Sequence, residues 1–239
     1  MNKTRDGILE IGATGQKMDR NSCDQPLATQ TRRIKATRRS LSGFYPYKGE
    51  PIPFESTLER DFLKRIAFWV DVERITAQPA CINFVARNGR PYQYTPDYLV
   101  QFRNDSGIRP MLVEVKPEED WRENWRNWLP KWKAAWRYAQ ERGWSFRIFD
   151  ESRIRDQVLE NIVFLERHVH MVFPPEETTL VLRTISEMGE VPLHYLLALH
   201  FSGFEREGTS HLWHLLATRK IECDICRPLD EFTLLWSPT

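Results

Sequence analysis

The chemistry in this sequence gathers in a few short stretches. In Val113-Glu114-Val115-Lys116 a carboxylate and an ammonium stand two residues apart. Residues i and i+2 of an extended strand share a face, so Glu114 and Lys116 project together while Val113 and Val115 turn to the core. Such a pair is by itself an ordinary surface ion pair of little energetic worth. A second carboxylate, Asp97 of Thr95-Pro96-Asp97-Tyr98-Leu99-Val100, begins another extended run. The turn Asn104-Asp105-Ser106-Gly107 returns that run beside the first, and adjacent antiparallel strands bring such side chains within several ångströms. Glu59 supplies a third carboxylate from a helix, although Ser56-x-x-Glu59 is also a capping box, and Glu55 and Asp61 stand close by as alternatives. Hard divalent cations take oxygen ligands, and magnesium uses one or two carboxylates plus phosphate. Three carboxylates and one lysine brought together in this way are a candidate site for a hard divalent cation and a phosphate group.

The elements that must position these groups can be read in order. Pro53 to Trp69 predicts a helix capped by Ser56, with Leu58, Phe62, Ile66 and Trp69 facing the core at helical spacing. Residues 75–79 return extended. Residues 81–102 predict two strands around the turn Arg87-Asn88-Gly89-Arg90, since Asn-Gly is a strong hairpin signal. Arg109 to Pro117 predicts a third strand and Trp144 to Asp150 a fourth. Between them, Trp121, Trp125, Trp128, Trp132, Trp136 and Ala139 fall on one helical stripe and predict a buried face. Pro130 predicts the start of a new helix inside that segment. The other side carries Arg122, Arg126, Lys131, Lys133 and Arg137, which predicts a DNA-facing surface that includes Lys131 and Lys133. The outcome is a small mixed sheet with helices on its faces.

At this point the sequence resembles a family. A helix glutamate, then Pro-Asp, then Glu-x-Lys is the pattern of PD-(D/E)xK nucleases, the restriction-endonuclease-like fold. The stretches FESTLERDFL, GRPYQYTPDYLV, VEVKP and WRYAQERGWSFRIFDESRIR resemble TnsA, the endonuclease subunit of heteromeric Tn7-like transposases. The resemblance runs from about Arg32 to about His168, and the tail is similar to that family's C-terminal domain. It implies that Glu59, Asp97 and Glu114 are the metal-binding carboxylates, joined by the Val115 carbonyl, and that Lys116 is the catalytic lysine. One or two Mg²⁺ ions are implied, with Mn²⁺ as a substitute. Family members carry Glu or Gln at the position of Glu114; here it is Glu. The implied activity is cleavage of double-stranded DNA at the 5′ ends of a transposon. The implied partners are TnsB, which cuts the 3′ ends, and the AAA+ regulator TnsC, contacted through the C-terminal domain. A stand-alone restriction or repair endonuclease and a non-catalytic assembly subunit are the alternatives.

Composition bounds the rest. Hydrophobic residues make up 41%, enough for a real core, and the net charge of +1 does not announce a nucleic-acid binder. Distribution says more: Arg32, Arg33, Lys35, Arg38 and Arg39 crowd together and predict a phosphate-gripping arm. The absence of an apolar leader or spanning stretch, with four cysteines taken as reduced, predicts a cytoplasmic protein, and the resemblance implies a bacterial one. Cys223-x-x-Cys226 has no second pair and reads as ordinary strand residues rather than zinc ligands. After Pro174-Pro175, three helices, the third capped by Thr209 or Ser210, and a terminal hairpin over residues 220–236 predict a winged helix. The domains expected are a basic arm over 1–47, the endonuclease domain over 48–170 and a winged-helix interaction domain over 171–239.

Overall fold

The computed structural model describes residues 41–238. The five cations Arg32, Arg33, Lys35, Arg38 and Arg39 therefore lie outside the described residues. In chain order the first part holds β1 (Gly43–Tyr47), β2 (Glu50–Phe54), α1 (Thr57–Ala67), β3 (Val72–Ala77), β4 (Ile82–Val85), β5 (Pro91–Tyr94), β6 (Tyr98–Phe102), β7 (Met111–Val115), α2 (Glu118–Gln140), β8 (Ser145–Phe149), α3 (Glu151–Ile154) and α4 (Gln157–Glu166). The second part holds α5 (Pro175–Met188), β9 (Glu190–Pro192), α6 (Leu193–His200), α7 (Glu205–Ala217) and β10 (Leu234–Trp236). No helix among the described residues is long and apolar enough to cross a membrane.

The central sheet runs β3-β6-β7-β8 and is mixed: β3/β6 and β6/β7 are antiparallel, β7/β8 parallel. One face is covered by α1. Its buried Leu58, Phe62, Leu63 and Ile66 pack on Tyr98, Val100, Val113 and Val115. The other face is covered by α2, whose Ala134, Ala135 and Ala139 meet Leu112, Ile82 and Tyr94. Strand alternation places Glu114 on this second face with Leu112, and Val113 and Val115 on the first. The middle strand β7 is buried along its whole length, Glu114 included.

Several expectations change in detail. Residues 81–102 form three strands, because Pro96 cannot donate to a ladder and breaks the second run between Tyr94 and Tyr98. Helix α2 passes through Pro130 without a break. One backbone hydrogen bond is lost there, while the turns on either side keep theirs and the following segment is pinned by Trp132, Ala134 and Ala135. The tryptophan stripe is not the buried face. Of its six residues only Trp132 and Ala139 are buried, whereas Trp125 and Trp136 are 44% and 53% exposed. Small alanines let α2 lie close on the sheet, and that close approach turns the large indoles to the sides. Trp69 lies beyond the end of α1 and is exposed.

The second part has its own core of Val181, Ile185, Leu193, Leu196, Leu212 and Leu216, to which α4 contributes Leu165. Leu159 of the same helix belongs to the first core, so α4 is shared. Helix α7 begins at Glu205, ahead of the expected caps Thr209 and Ser210, which sit inside it and bond back to the carbonyls of Glu205 and Arg206. Gly208 permits that path, since a Cβ there would stand 2.3 Å from the Phe201 ring. The expected terminal hairpin is reduced to β10, which pairs with β9, and a single bridge between Glu222 and Trp236.

A buried histidine makes this second core sensitive to acid. His211 is 1% exposed, stacks on Phe173 at 4.3 Å and lies 2.8 Å from the Thr178 hydroxyl. Burial, with His214 and Lys220 nearby, pushes its pKa down to about 4; the half-exposed Glu177 carboxylate at 3.8 Å does not offset this. The unfolded chain takes up that proton near pH 6.5, so the stability His211 contributes is present above that value and is lost as pH falls toward 4. The variant His211→Gln is expected to flatten the acid side of the stability profile between about pH 6.5 and 4. Calorimetric scans across that range check this; parallel profiles for the two proteins would contradict it.

Candidate active site

The four residues singled out by type and spacing come together. The β6/β7 pairing sets Tyr98 opposite Val113, which puts Asp97, one residue before β6, beside the end of β7. The Val115 N–H donates to Asp97 Oδ2 at 2.7 Å, and the Asp97 N–H donates to the Val113 carbonyl at 3.0 Å. Lys116 Nζ lies 3.8 Å from Asp97 Oδ2 and 3.7 Å from Glu114 Oε1. Glu59 arrives from the first turn of α1. Its carboxylate accepts from the Glu55 N–H at 2.8 Å and the Ser56 hydroxyl at 3.1 Å, while the Ser56 oxygen caps the Glu59 N–H. The capping box and the site position are thus one arrangement, in which the cap fixes the carboxylate. The Tyr98 hydroxyl, 3.2 Å from Glu59 Oε2 and 3.0 Å from the Pro53 carbonyl, ties α1 to the sheet at this point.

Electrostatics reflect the crowding. Burial pushes the Asp97 carboxyl well above the usual carboxylate range; Glu114 and Glu59 push the same way and Lys116 opposes them. Burial also raises Glu59, against the Glu55 N–H and Lys116. For Lys116, burial favours the neutral amine, but Asp97, Glu114 and Glu59 outweigh it and hold the ammonium above its ordinary value.

Two groups that sequence reasoning did not place here hold Glu114. The Tyr94 hydroxyl donates to Glu114 Oε2. Lys131 Nζ lies 3.1 Å from Glu114 Oε1, with the Trp128 ring 4.6 Å and the Tyr94 ring 4.9 Å away. The expectation that Lys131 faces outward with Lys133 is corrected: its side chain is only 16% exposed and points into the cluster. Lys133 is exposed. A signal was available, because Lys131 follows Trp128 by three residues and so lies toward the aromatic side of α2. Outer partners of a ligand typically govern affinity or activity by 10–100-fold. Lys131→Met is expected to lower the cutting rate by about that factor, and a titration of rate against metal concentration shows whether affinity has changed. A rate equal to wild type would contradict it.

The donors are all oxygens and anionic, which suits a hard divalent cation. Among the described residues no three Asp, Glu, His or Cys side chains form a ready-made metal cage. Glu59 is engaged by its cap, and Glu114 accepts from Tyr94 and Lys131. Magnesium needs only one or two carboxylates, the remainder being water and substrate phosphate, and Asp97 and Glu114 meet that requirement. Cys223 and Cys226 are free thiols.

A family model described as "TnsA-like endonuclease N terminal" matches residues 70–151, and one described as "TnsA endonuclease C terminal" matches residues 153–225. Together they span more than half of the chain. This chain belongs to the TnsA endonuclease family. It is accordingly a DNA endonuclease subunit of a Tn7-like transposase, with DNA and transposase proteins as its partners. A comparison with curated proteins finds no match. Within this TnsA-family chain, Asp97, Glu114 and Lys116 fall inside the first matched stretch, while Glu59 precedes it.

Proposed function

We propose that this TnsA chain hydrolyses the phosphodiester at the 5′ ends of its transposon, using a divalent ion held by Asp97 and Glu114. The observation that carries the reading is the convergence of Asp97 and Glu114 on the Lys116 ammonium, with Glu59 held by the hydroxyl of Tyr98 next to Asp97, in a member of an endonuclease family. The bound ion, Mg²⁺ or Mn²⁺, would lower the pKa of a water and neutralise phosphate charge. Asp97 and Glu114 would hold it with the Val115 carbonyl, and Glu59 would serve a second ion directly or through water. Lys116, fixed between two carboxylates, would orient the attacking water or steady the developing negative charge. Tyr94 and Lys131 keep Glu114 in place.

Residues 171–239 act in this proposal as an interaction domain of winged-helix type, with residues 48–170 as the endonuclease domain. Support comes from three helices with a short β9/β10 sheet at their side. The α7 helix presents few cations toward solvent, so the docking partner proposed for this part is the regulator TnsC rather than DNA, with TnsB cutting the 3′ ends.

The test is a reconstituted excision reaction with the partner subunits. Wild type should break both strands at the transposon ends. Glu114→Ala should leave only the 3′ breaks. Normal 5′ cutting by Glu114→Ala would overturn the site, and sequence-specific cutting by the lone chain would favour a restriction-type nuclease instead.

A further inference from the structure

An open groove of about 830 Å³ lies between the β4–β5 hairpin and α2. Arg87 of the hairpin and Arg126, Lys133 and Arg137 of α2 line it, with Phe84 and Trp125 between them, and no carboxylate does. All four cations are exposed, and among the described residues none of them forms an ion pair. Arg122 continues the same helical stripe but is bound to Glu118 at 2.5 Å. Four unpaired cations around a concave surface with no acid make a positive field that selects a polyanion.

The two elements that wall the groove also send side chains to the site. The hairpin sends Tyr94 to Glu114, and α2 sends Lys131 to the other oxygen of the same carboxylate. An occupant lying in the groove is therefore led toward Glu114. Residues 126, 130, 133 and 137 share a helix face. At 1.5 Å per residue the cations of α2 span about 16 Å, over which one strand of a duplex presents four to five phosphates at about 3.4 Å each.

We propose that this groove holds one strand of duplex DNA by its sugar-phosphate backbone and leads it to the carboxylate cluster. The inference rests on the nuclease reading above and adds the path of the substrate. The Asn88-Gly89 tip, with Gly89 at φ 76°, carries Arg87 over the groove from the hairpin side, so the strand is gripped from two directions.

Salt-dependent binding tests it. The full-length chain, in EDTA so that nothing is cut, is titrated with a fluorescent DNA duplex at several salt concentrations. The triple variant Arg126→Ala/Lys133→Ala/Arg137→Ala should bind at least tenfold more weakly at low salt. Its plot of log affinity against log salt should be shallower by about 2.7, at about 0.9 per phosphate contact. Arg126→Lys/Lys133→Arg/Arg137→Lys should keep the wild-type slope, as should Arg183→Ala on the remote helix α5. A triple alanine variant with an unchanged slope and unchanged melting temperature overturns the groove, whatever the wild type cuts. A wild type that never cuts, but whose binding falls with the groove cations, overturns the nuclease reading and leaves the groove standing.

Discussion

Asp97→Asn is expected to slow phosphodiester hydrolysis by about a thousand-fold or more, and at the same time to raise the melting temperature of the metal-free chain at neutral pH. The first effect follows from removing a ligand charge. A metal's charge stabilisation is worth several kcal/mol, and about 4 kcal/mol corresponds to roughly three decades in rate. The second follows from crowding. Burial, Glu114 and Glu59 raise the Asp97 carboxyl well above its ordinary value in the folded chain. Such a group contributes stability that is present below its unfolded value, near 3.9, and lost as pH rises through the raised folded value. Neutral pH is on the unfavourable side. Asparagine keeps an oxygen for the Val115 N–H and removes the charge, while Lys116 retains Glu114 at 3.7 Å. Stability and activity thus pull apart at this residue, as they do at sites built for charge rather than for packing. Calorimetry in EDTA, with single-turnover cutting in Mg²⁺, checks both halves. An Asn variant that melts lower would contradict the electrostatic account, and one that cuts normally would contradict the chemical one.

Phe62→Ala is expected to cost about 3–5 kcal/mol of stability. Phe62 is fully buried and packs on Tyr98 and Phe149, with ring centroids 5.5 Å and 5.0 Å apart. With Leu58, Leu63 and Ile66 it seats α1 on the sheet, and the same helix delivers Glu59 one turn earlier. Loss of the ring opens a cavity between helix and sheet and loosens the segment that fixes Glu59. Cutting should therefore fall as well, even at temperatures where the variant stays folded. Denaturant unfolding reads the first effect as a lower midpoint at unchanged slope. A change under about 1 kcal/mol would mean that the site collapses around the gap and that α1 is held elsewhere.

The parts of this molecule that follow from local rules were legible. Two-residue alternation in Val113 to Lys116 placed Glu114 and Lys116 together, and the short turn after Phe102 placed Asp97 beside them. Ser56 as a cap fixed where α1 begins. The unread parts depend on how elements rotate against one another. Lys131 and Tyr94 meet at Glu114 because α2 lies close to the sheet on its alanines, and the tryptophans beside those alanines suggested the opposite face. Pro130 signalled a break that packing overrides. The strand β9 is three residues long, too short for any periodicity, so its pairing with β10 replaced the hairpin expected near the C-terminus. Helix α7 begins at Phe204-Glu205 without a side-chain cap, which left Thr209 and Ser210 as the visible but mistaken start.

One measurement bears on the whole account: anomalous diffraction from Mn²⁺ in crystals of the full chain with DNA. The account predicts a metal peak at bonding distance, about 2.1 Å for a magnesium-like ion, from carboxylate oxygens of both Asp97 and Glu114, with a DNA phosphate on its open side and Lys116 alongside. Manganese bound elsewhere, or Glu114 still closed on Tyr94 and Lys131 with DNA in place and no metal beside it, would contradict it.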